Sequence, residues 1–173
     1  MNQQDEVMGD NPEESRQSAA SESDTLGVRV PPPLIYLTSI LIGAAIDRLT
    51  PVRVLPDLVT GWLGGALVLL AVTISGFSVR EFRKAKTTFR VDRPVSALIT
   101  TGPFRYSRNP LYLSLSILQA GIGIWMNSVW VVVLLVPTVA VMTRGVIVRE
   151  EKYLAEKFGK AYRDYQATVR RWL

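Results

Sequence analysis

Two absences define what chemistry this chain can do: it contains no histidine and no cysteine. Disulfides, thiolate nucleophiles and cysteine-ligated metals are excluded, and so are the usual general base, the usual zinc ligand and every histidine-dependent triad. Chemistry here must need little proton transfer, or borrow its charge from a cofactor; no metal site is expected. The remaining chemistry-bearing residues fall in two clusters. One is Thr100–Tyr112, TTGPFRYSRNPLY, which crowds Phe104, Arg105, Tyr106 and Arg108 into a turn forced by Gly102-Pro103. The other is the acidic pair Glu150-Glu151.

The first cluster ends where a helix should begin. Asn109 is placed to cap it, and Pro110 to take the first helical position, where a missing N–H costs nothing. A basic, aromatic loop at the mouth of a membrane helix could cradle a ligand. Spacing alone favours a simpler reading, a capped helix start with arginines snorkelling to lipid headgroups. Glu150-Glu151 is equally ambiguous, since paired acids at a membrane surface usually form a solvated helix face or bond to nearby arginines.

The elements that must position these clusters follow from the charge pattern of the 173 residues. Residues 1–29 form an acidic, polar tail with almost no large apolar side chain, which should be disordered and lacks the basic start and apolar core of a signal peptide. Residues 30–173 form one membrane domain. Val30–Ile46 carries no charge and starts at Pro31-Pro32-Pro33, and Leu58–Val79 is a second uncharged run, with Gly61 and Gly65 at the spacing that permits close helix packing. Asn109–Thr143 is uncharged over 35 residues. As one helix it would measure about 50 Å against a hydrocarbon core of about 30 Å, so it must cross twice.

Met126-Asn127-Ser128 is the polar break near its middle, and Pro137 should kink the second arm. Spans are therefore expected over about 30–46, 58–79, 110–126 and 128–148. The tail end, about 149–170, places apolar residues at 154, 158, 161, 162, 165, 169 and 172, one stripe of an amphipathic helix that Gly159 interrupts or bends. The expected fold is an all-α integral membrane protein of about four transmembrane helices, with a helical hairpin and a C-terminal amphipathic helix. Trp125 and Trp130 flank the hairpin turn as interfacial anchors.

Between Arg80 and Arg108 there are eight basic residues against two acids, and between Arg144 and Leu173 eight against four. Both segments fall on one side of the hairpin, which the positive-inside rule makes cytoplasmic together with both termini. The net charge of +5 clusters beside apolar spans, where membrane lipid rather than nucleic acid is the expected partner.

Two blocks, GPFRYSRNPLY (102–112) and EEKYLAEKFGKAYRDYQATV (150–169), resemble the isoprenylcysteine carboxyl methyltransferase family and its bacterial members, and more distantly the phospholipid N-methyltransferases. The family pattern is Gly, an aromatic, then Arg-His/Asn-Pro-x-Tyr, followed after a hairpin by Glu-Glu, two residues, Leu, then Phe-Gly, Tyr and Tyr. The resemblance covers about residues 30–173. It implies a multi-pass methyltransferase of a bacterial inner membrane that uses S-adenosylmethionine. By analogy the cofactor would contact Ser96, Ala97, Leu98, Ile99, Phe104, Asn109, Pro110, Leu111 and Tyr112, with Glu150 reaching a cofactor hydroxyl or ammonium. Many members have His at position 109; Asn keeps a donor and an acceptor but cannot titrate.

The resemblance also implies an acceptor, a lipophilic small molecule or lipid drawn from the bilayer. A carboxylate is already a nucleophile at neutral pH, so isoprenylcysteine-like O-methylation would need no general base, which suits the missing histidines. The eukaryotic carboxyl methyltransferases place an arginine four residues before the glutamate that matches Glu150, and here that position is Val146. Arg144, about half a turn away, and Arg149, on a different face, are the candidate replacements, so the catalytic candidates are Glu150, Arg149 and Arg144. Amine methylation of a phospholipid headgroup is the alternative, and a non-catalytic scaffold keeping the fold is the alternative of another class. Retention of Glu150, Tyr112 and the Arg-Asn-Pro run favours a working cofactor pocket.

Overall fold

The computed structural model describes residues 31–85 and 97–173. The acidic tail, Ser96 and part of the basic stretch before the loop lie outside the described residues. Helix α1 is Pro32–Leu49 and α2 is Asp57–Lys84. Both outrun their uncharged segments, because a helix leaving the apolar layer can carry charge on its final turns. In α2 those charges suit the helix dipole, with Asp57 in the first turn and Arg83 and Lys84 in the last. A 3₁₀ turn, Gly102–Arg105, leads to α3, Pro110–Trp125. Then follow α4 (Val129–Val133), α5 (Leu135–Met142), a π turn (Thr143–Ile147), α6 (Val148–Phe158) and α7 (Lys160–Thr168).

The chain is a helical membrane protein, and the described residues contain no strand. Pro32–Leu49, Asp57–Lys84 and the run Val129–Phe158 are each long and apolar enough to cross a membrane, and Pro110–Trp125 is a shorter apolar helix. The short helix is the central one. It packs most extensively on α2 and also meets α1, α4 and α5. Its buried residues include Ser114, Ser116 and Gln119; both serine hydroxyls and the glutamine N–H groups find partners inside the bundle, while the Gln119 side-chain oxygen has none. Gln119 Nε2 donates to Ser39 Oγ at 2.9 Å and to the Val131 carbonyl at 3.1 Å, and Thr138 Oγ1 lies 2.7 Å from the same serine. One amide thus ties α3 to α1 and α4, and the serine extends the tie to α5.

The hairpin turns where the polar break stands. Asn127 takes φ +51, Ser128 caps α4 with its hydroxyl on the Val131 N–H, and Asn127 exchanges three hydrogen bonds with Val54 and Leu55. Arg53 donates to the Met126 carbonyl at 2.7 Å and pairs with Asp47 at 3.1 Å. Trp130 does more than sit at an interface: its indole N–H donates to the Thr50 carbonyl at 2.8 Å. The second arm is broken one turn ahead of Pro137, at Leu134, because proline offers no N–H to the Val133 carbonyl. Beyond it the wider π turn shifts the register, so that Val146 and Ile147 face inward while Arg144 is exposed. Gly159, at φ +53 and ψ −120, divides the amphipathic tail into α6 and α7.

Close packing of α2 against α3 does not use the expected glycine pair. A Cβ added at Gly61 or Gly65 would meet nothing within 4 Å, whereas one at Gly64 would lie 2.6 Å from the Trp125 backbone nitrogen. The Gly61/Gly65 spacing permits close approach, but the face that α3 covers is the one centred on Gly64. Gly64→Val is therefore expected to wedge the two helices apart at a cost of about 1–3 kcal/mol. Gly61→Val should leave the thermal midpoint in detergent close to wild type; equal losses from both would contradict this packing.

Candidate functional site

The feature that unites the two clusters is a hydrogen bond between them. Tyr112, on the first turn of α3, donates its hydroxyl to Glu150 Oε1 at 2.6 Å. Glu150 sits on the first turn of α6, directly after the π turn, past the end of the apolar run. The hairpin thus joins residues 38 apart in sequence. Tyr112 is itself enclosed by Tyr36 of α1 and by Met142, Val146 and Ile147, with Trp172 against the outside of the group. The Tyr36 hydroxyl lies 2.7 Å from Ser116 Oγ, so the first span is part of the wall behind Tyr112.

Burial pushes the Glu150 carboxyl up to about 7, the neighbouring Glu151 adds to that, and the hydrogen bond from Tyr112 opposes it. Among the described residues Glu150 forms no ion pair. A desolvated carboxylate whose partner is a neutral phenol lacks a compensating cation, and a cationic ligand would supply one. Of the two adjacent acids, only Glu150 has this character.

Glu151 belongs to the scaffold. It is buried and held from both sides, by Arg108 Nη1 at 3.1 Å and by Arg171 through Nε at 3.0 Å and Nη2 at 2.6 Å. This forked pairing brings the C-terminal residues back over the loop. The Arg108 N–H donates to the Arg170 carbonyl at 3.0 Å, and the Ser107 hydroxyl reaches the Arg171 carbonyl at 3.3 Å. Asn109 occupies the cap position of α3 but does not cap it. Its amide donates instead to the Arg171 carbonyl at 3.0 Å, which has captured the side chain that would otherwise turn back to the helix. Tyr165 completes the lock, donating at 2.6 Å to the carbonyl of Phe104, whose ring meets Phe82 edge-on at 5.4 Å. Burial raises the Tyr165 hydroxyl well above its ordinary value, so it remains a donor at physiological pH.

Against the sequence expectations, Phe104, Pro110, Leu111 and Tyr112 are buried, while Ala97, Leu98, Ile99 and Asn109 are half-buried along the same loop. Ser96 lies outside the described residues. Arg144 and Arg149 are both exposed, and Val146 is buried against Tyr112 and Tyr36. Tyr162 and Tyr165 are buried packing residues, and Trp172 packs against the Tyr112 group. Tyr36, Glu151 and Arg171 were not singled out as site residues. For Glu151 and Arg171 the available signal was an acid next to Glu150 and a tail rich in arginine; for Tyr36, a lone phenol in an apolar span, there was none.

A methyl donor carrying a sulfonium and an ammonium fits this set. The Glu150 carboxyl is partly buried and pairs with no cation among the described residues, and the aromatic and apolar loop beside it is suited to a purine or to a methylene chain. Residues 59–161 match the phospholipid methyltransferase family. An uncharacterised protein of Haemophilus influenzae is 38% identical over 65 residues, which is 36% of this chain and the whole of that protein. No solved structure matches the chain. The match covers both arms of the hairpin, the loop before it, Tyr112 and Glu150, and on that ground the chain belongs to the phospholipid methyltransferase family of membrane methyltransferases.

Proposed function

We propose that this protein is an S-adenosylmethionine-dependent methyltransferase acting, on the cytoplasmic side of a bacterial inner membrane, on a lipophilic acceptor held in the bilayer. The observation that carries the reading is the Tyr112–Glu150 hydrogen bond, which fixes a cation-seeking carboxylate beside the loop. S-adenosylmethionine, when bound, supplies an activated methyl group on a positively charged sulfur. Glu150 would hold the donor through its ammonium or a hydroxyl. Phe104, the half-buried strip Ala97-Leu98-Ile99 and, outside the described residues, Ser96 would form the rest of its seat. Asn109, Pro110 and Leu111 shape the floor, with Asn109 acting through the C-terminal strap that it binds. The protein's contribution is then to align two reactants and exclude water, worth up to about 7–11 kcal/mol.

The acceptor we favour is the amine of a phospholipid headgroup. Val146 lies in the core where a carboxylate-binding arginine would stand, Arg144 and Arg149 are exposed, and the largely buried Arg108 is already committed to Glu151. The headgroup ammonium must lose its proton before it attacks, and with Glu150 engaged by the donor that proton goes to water. Isoprenylcysteine-like carboxylate methylation is the second reading, favoured by the lack of histidine, because such an acceptor needs no base. The two differ in product chemistry. With labelled donor, membranes and purified protein, label that survives mild alkali marks an N-methyl lipid, and label released as volatile methanol marks a methyl ester. No label in any lipid would remove both.

The same carboxyl predicts a pH dependence. Its folded pKa lies above that of a free glutamate, so ionising it costs stability as pH rises towards 7, and a cationic donor relieves that cost. Donor binding is expected to strengthen as pH rises to about 7, then level off, with protons released on binding below that point. Glu150→Gln should bind weakly with no such pH dependence; a wild-type affinity that is flat from pH 5.5 to 8 would count against the assignment.

A further inference from the structure

The turn that carries Phe104 is gripped from two sides. Tyr165 of α7 holds its carbonyl, and the last turn of α2 stands against its start. Thr101 begins the turn, its carbonyl accepting from the Phe104 N–H at 3.2 Å. A threonine in that position ordinarily turns its hydroxyl back to cap the N–H groups that follow. Here it makes no such bond. It donates instead to Glu81 Oε2 at 2.6 Å, across 20 positions of sequence. Lys84 takes Oε1 of the same carboxylate at 2.6 Å, and the Glu81 side chain is only 12% exposed. Gly102 makes the approach possible: it takes φ +61, and a Cβ there would lie 2.8 Å from Glu81 Cγ. Phe82, the next residue of α2, meets the Phe104 ring edge-on.

Local capping is given up for a long-range contact, so what the contact fixes is the placement of the turn against α2 rather than the turn itself. We propose that Glu81 and Thr101 are a positioning pair, which sets Phe104 at the methyl donor's seat by clamping its turn to the end of α2. The inference rests on the reading of Phe104 as part of that seat, and it adds a device outside the Tyr112–Glu150 pair, acting through the turn rather than on the donor itself. A misplacement of about 1 Å in a binding group is enough to cost affinity, which is what the clamp prevents. An exposed hydrogen bond contributes little to global stability, so the pair acts on binding more than on folding.

The test combines two measurements on the detergent-purified full chain: trypsin cleavage after the exposed Arg105 without donor, and calorimetric titration with S-adenosylmethionine. Thr101→Val keeps the side-chain shape and removes the hydroxyl. It should speed cleavage and weaken donor binding, each about tenfold, with the thermal midpoint close to wild type. Thr101→Ser, which keeps the hydroxyl, should recover both. Glu81→Ala should match Thr101→Val, and the double variant should be no worse than either single one, because both remove the same contact. Thr73→Val, which removes a hydroxyl bonded within α2, should change neither. Donor bound by Thr101→Val and Glu81→Ala as tightly as by wild type would overturn the clamp and leave the methyltransferase reading intact. Additive losses in the double variant, or a Thr101→Ser variant as weak as Thr101→Val, would overturn it too. Weaker binding without faster cleavage would mean direct contact with the donor, and would overturn the positioning role. Faster cleavage in the variants, with no donor bound by wild type, would sink the methyltransferase reading and with it the pair's part in donor binding, leaving a loop restraint alone.

Discussion

Glu150→Gln is expected to lower the methyl-transfer rate at subsaturating donor by about 100-fold or more while the protein stays folded. Truncating the charge of a desolvated, hydrogen-bonded group in a binding site typically costs about 2–5 kcal/mol, and the lower part of that range already gives about two orders of magnitude. Glutamine still accepts the Tyr112 hydroxyl, so the 2.6 Å contact can be kept and only the negative charge is lost. Removing a partly uncompensated buried charge should leave the thermal midpoint unchanged or slightly raised at pH 8. Tyr112→Phe is expected to be milder, about tenfold, since the carboxylate remains and only its orientation is freed. Activity retained in both variants would dissociate the pair from the reaction.

Glu151→Ala is expected to do the opposite, damaging stability first and activity only through it. The Glu151 carboxylate neutralises Arg108, whose side chain is only 12% exposed, and anchors Arg171 by two further bonds. Removing one partner of a buried pair leaves the other charge uncompensated, at a cost of about 3–5 kcal/mol. For a chain of this size that corresponds to a midpoint lowered by about 10 °C. Residues 170–173 should also become open to carboxypeptidase, because Ser107, Arg108 and Asn109 hold their backbone only while Arg171 is in place. Arg171→Ala should cost less, since that side chain is 38% exposed and Arg108 would keep its carboxylate. Adjacent acids with opposite responses to substitution would separate a ligand-facing group from a scaffold group; a Glu151 variant as stable as wild type would erase the distinction.

Why the sequence disclosed some of this and not the rest has a physical explanation. Long uncharged runs, a polar tripeptide within one of them and a glycine in an amphipathic stripe report directly on lipid, a turn and a break. The hairpin at Asn127, the arm disturbed near Pro137 and the interruption at Gly159 follow from them. Helix ends were less legible, because α2 carries charge over its last turn while remaining helical. Pairings between distant segments were least legible. Nothing in the spacing says that Gly64 rather than Gly61 meets α3, or that the amide of Asn109 is drawn to the Arg171 carbonyl rather than to its own helix. Two neighbouring glutamates look alike until the tail folds back with Arg171 over one of them. The π turn mattered most for the site. It turns Val146 inward and leaves Arg144 exposed, and no hydropathy pattern encodes that extra residue per turn.

The central claim is that Glu150 and Tyr112 hold a methyl donor, and calorimetric titration of S-adenosylmethionine into the purified chain in lipid nanodiscs at pH 7.5 tests it most directly. Saturable binding at one site per chain is expected, weakened about 30-fold or more by Glu150→Gln and less by Tyr112→Phe, with Gly61→Leu unchanged. A folded wild-type protein that gives no binding heat and does not protect against donor photolabelling, or a Glu150→Gln variant that binds as tightly as wild type, would contradict it.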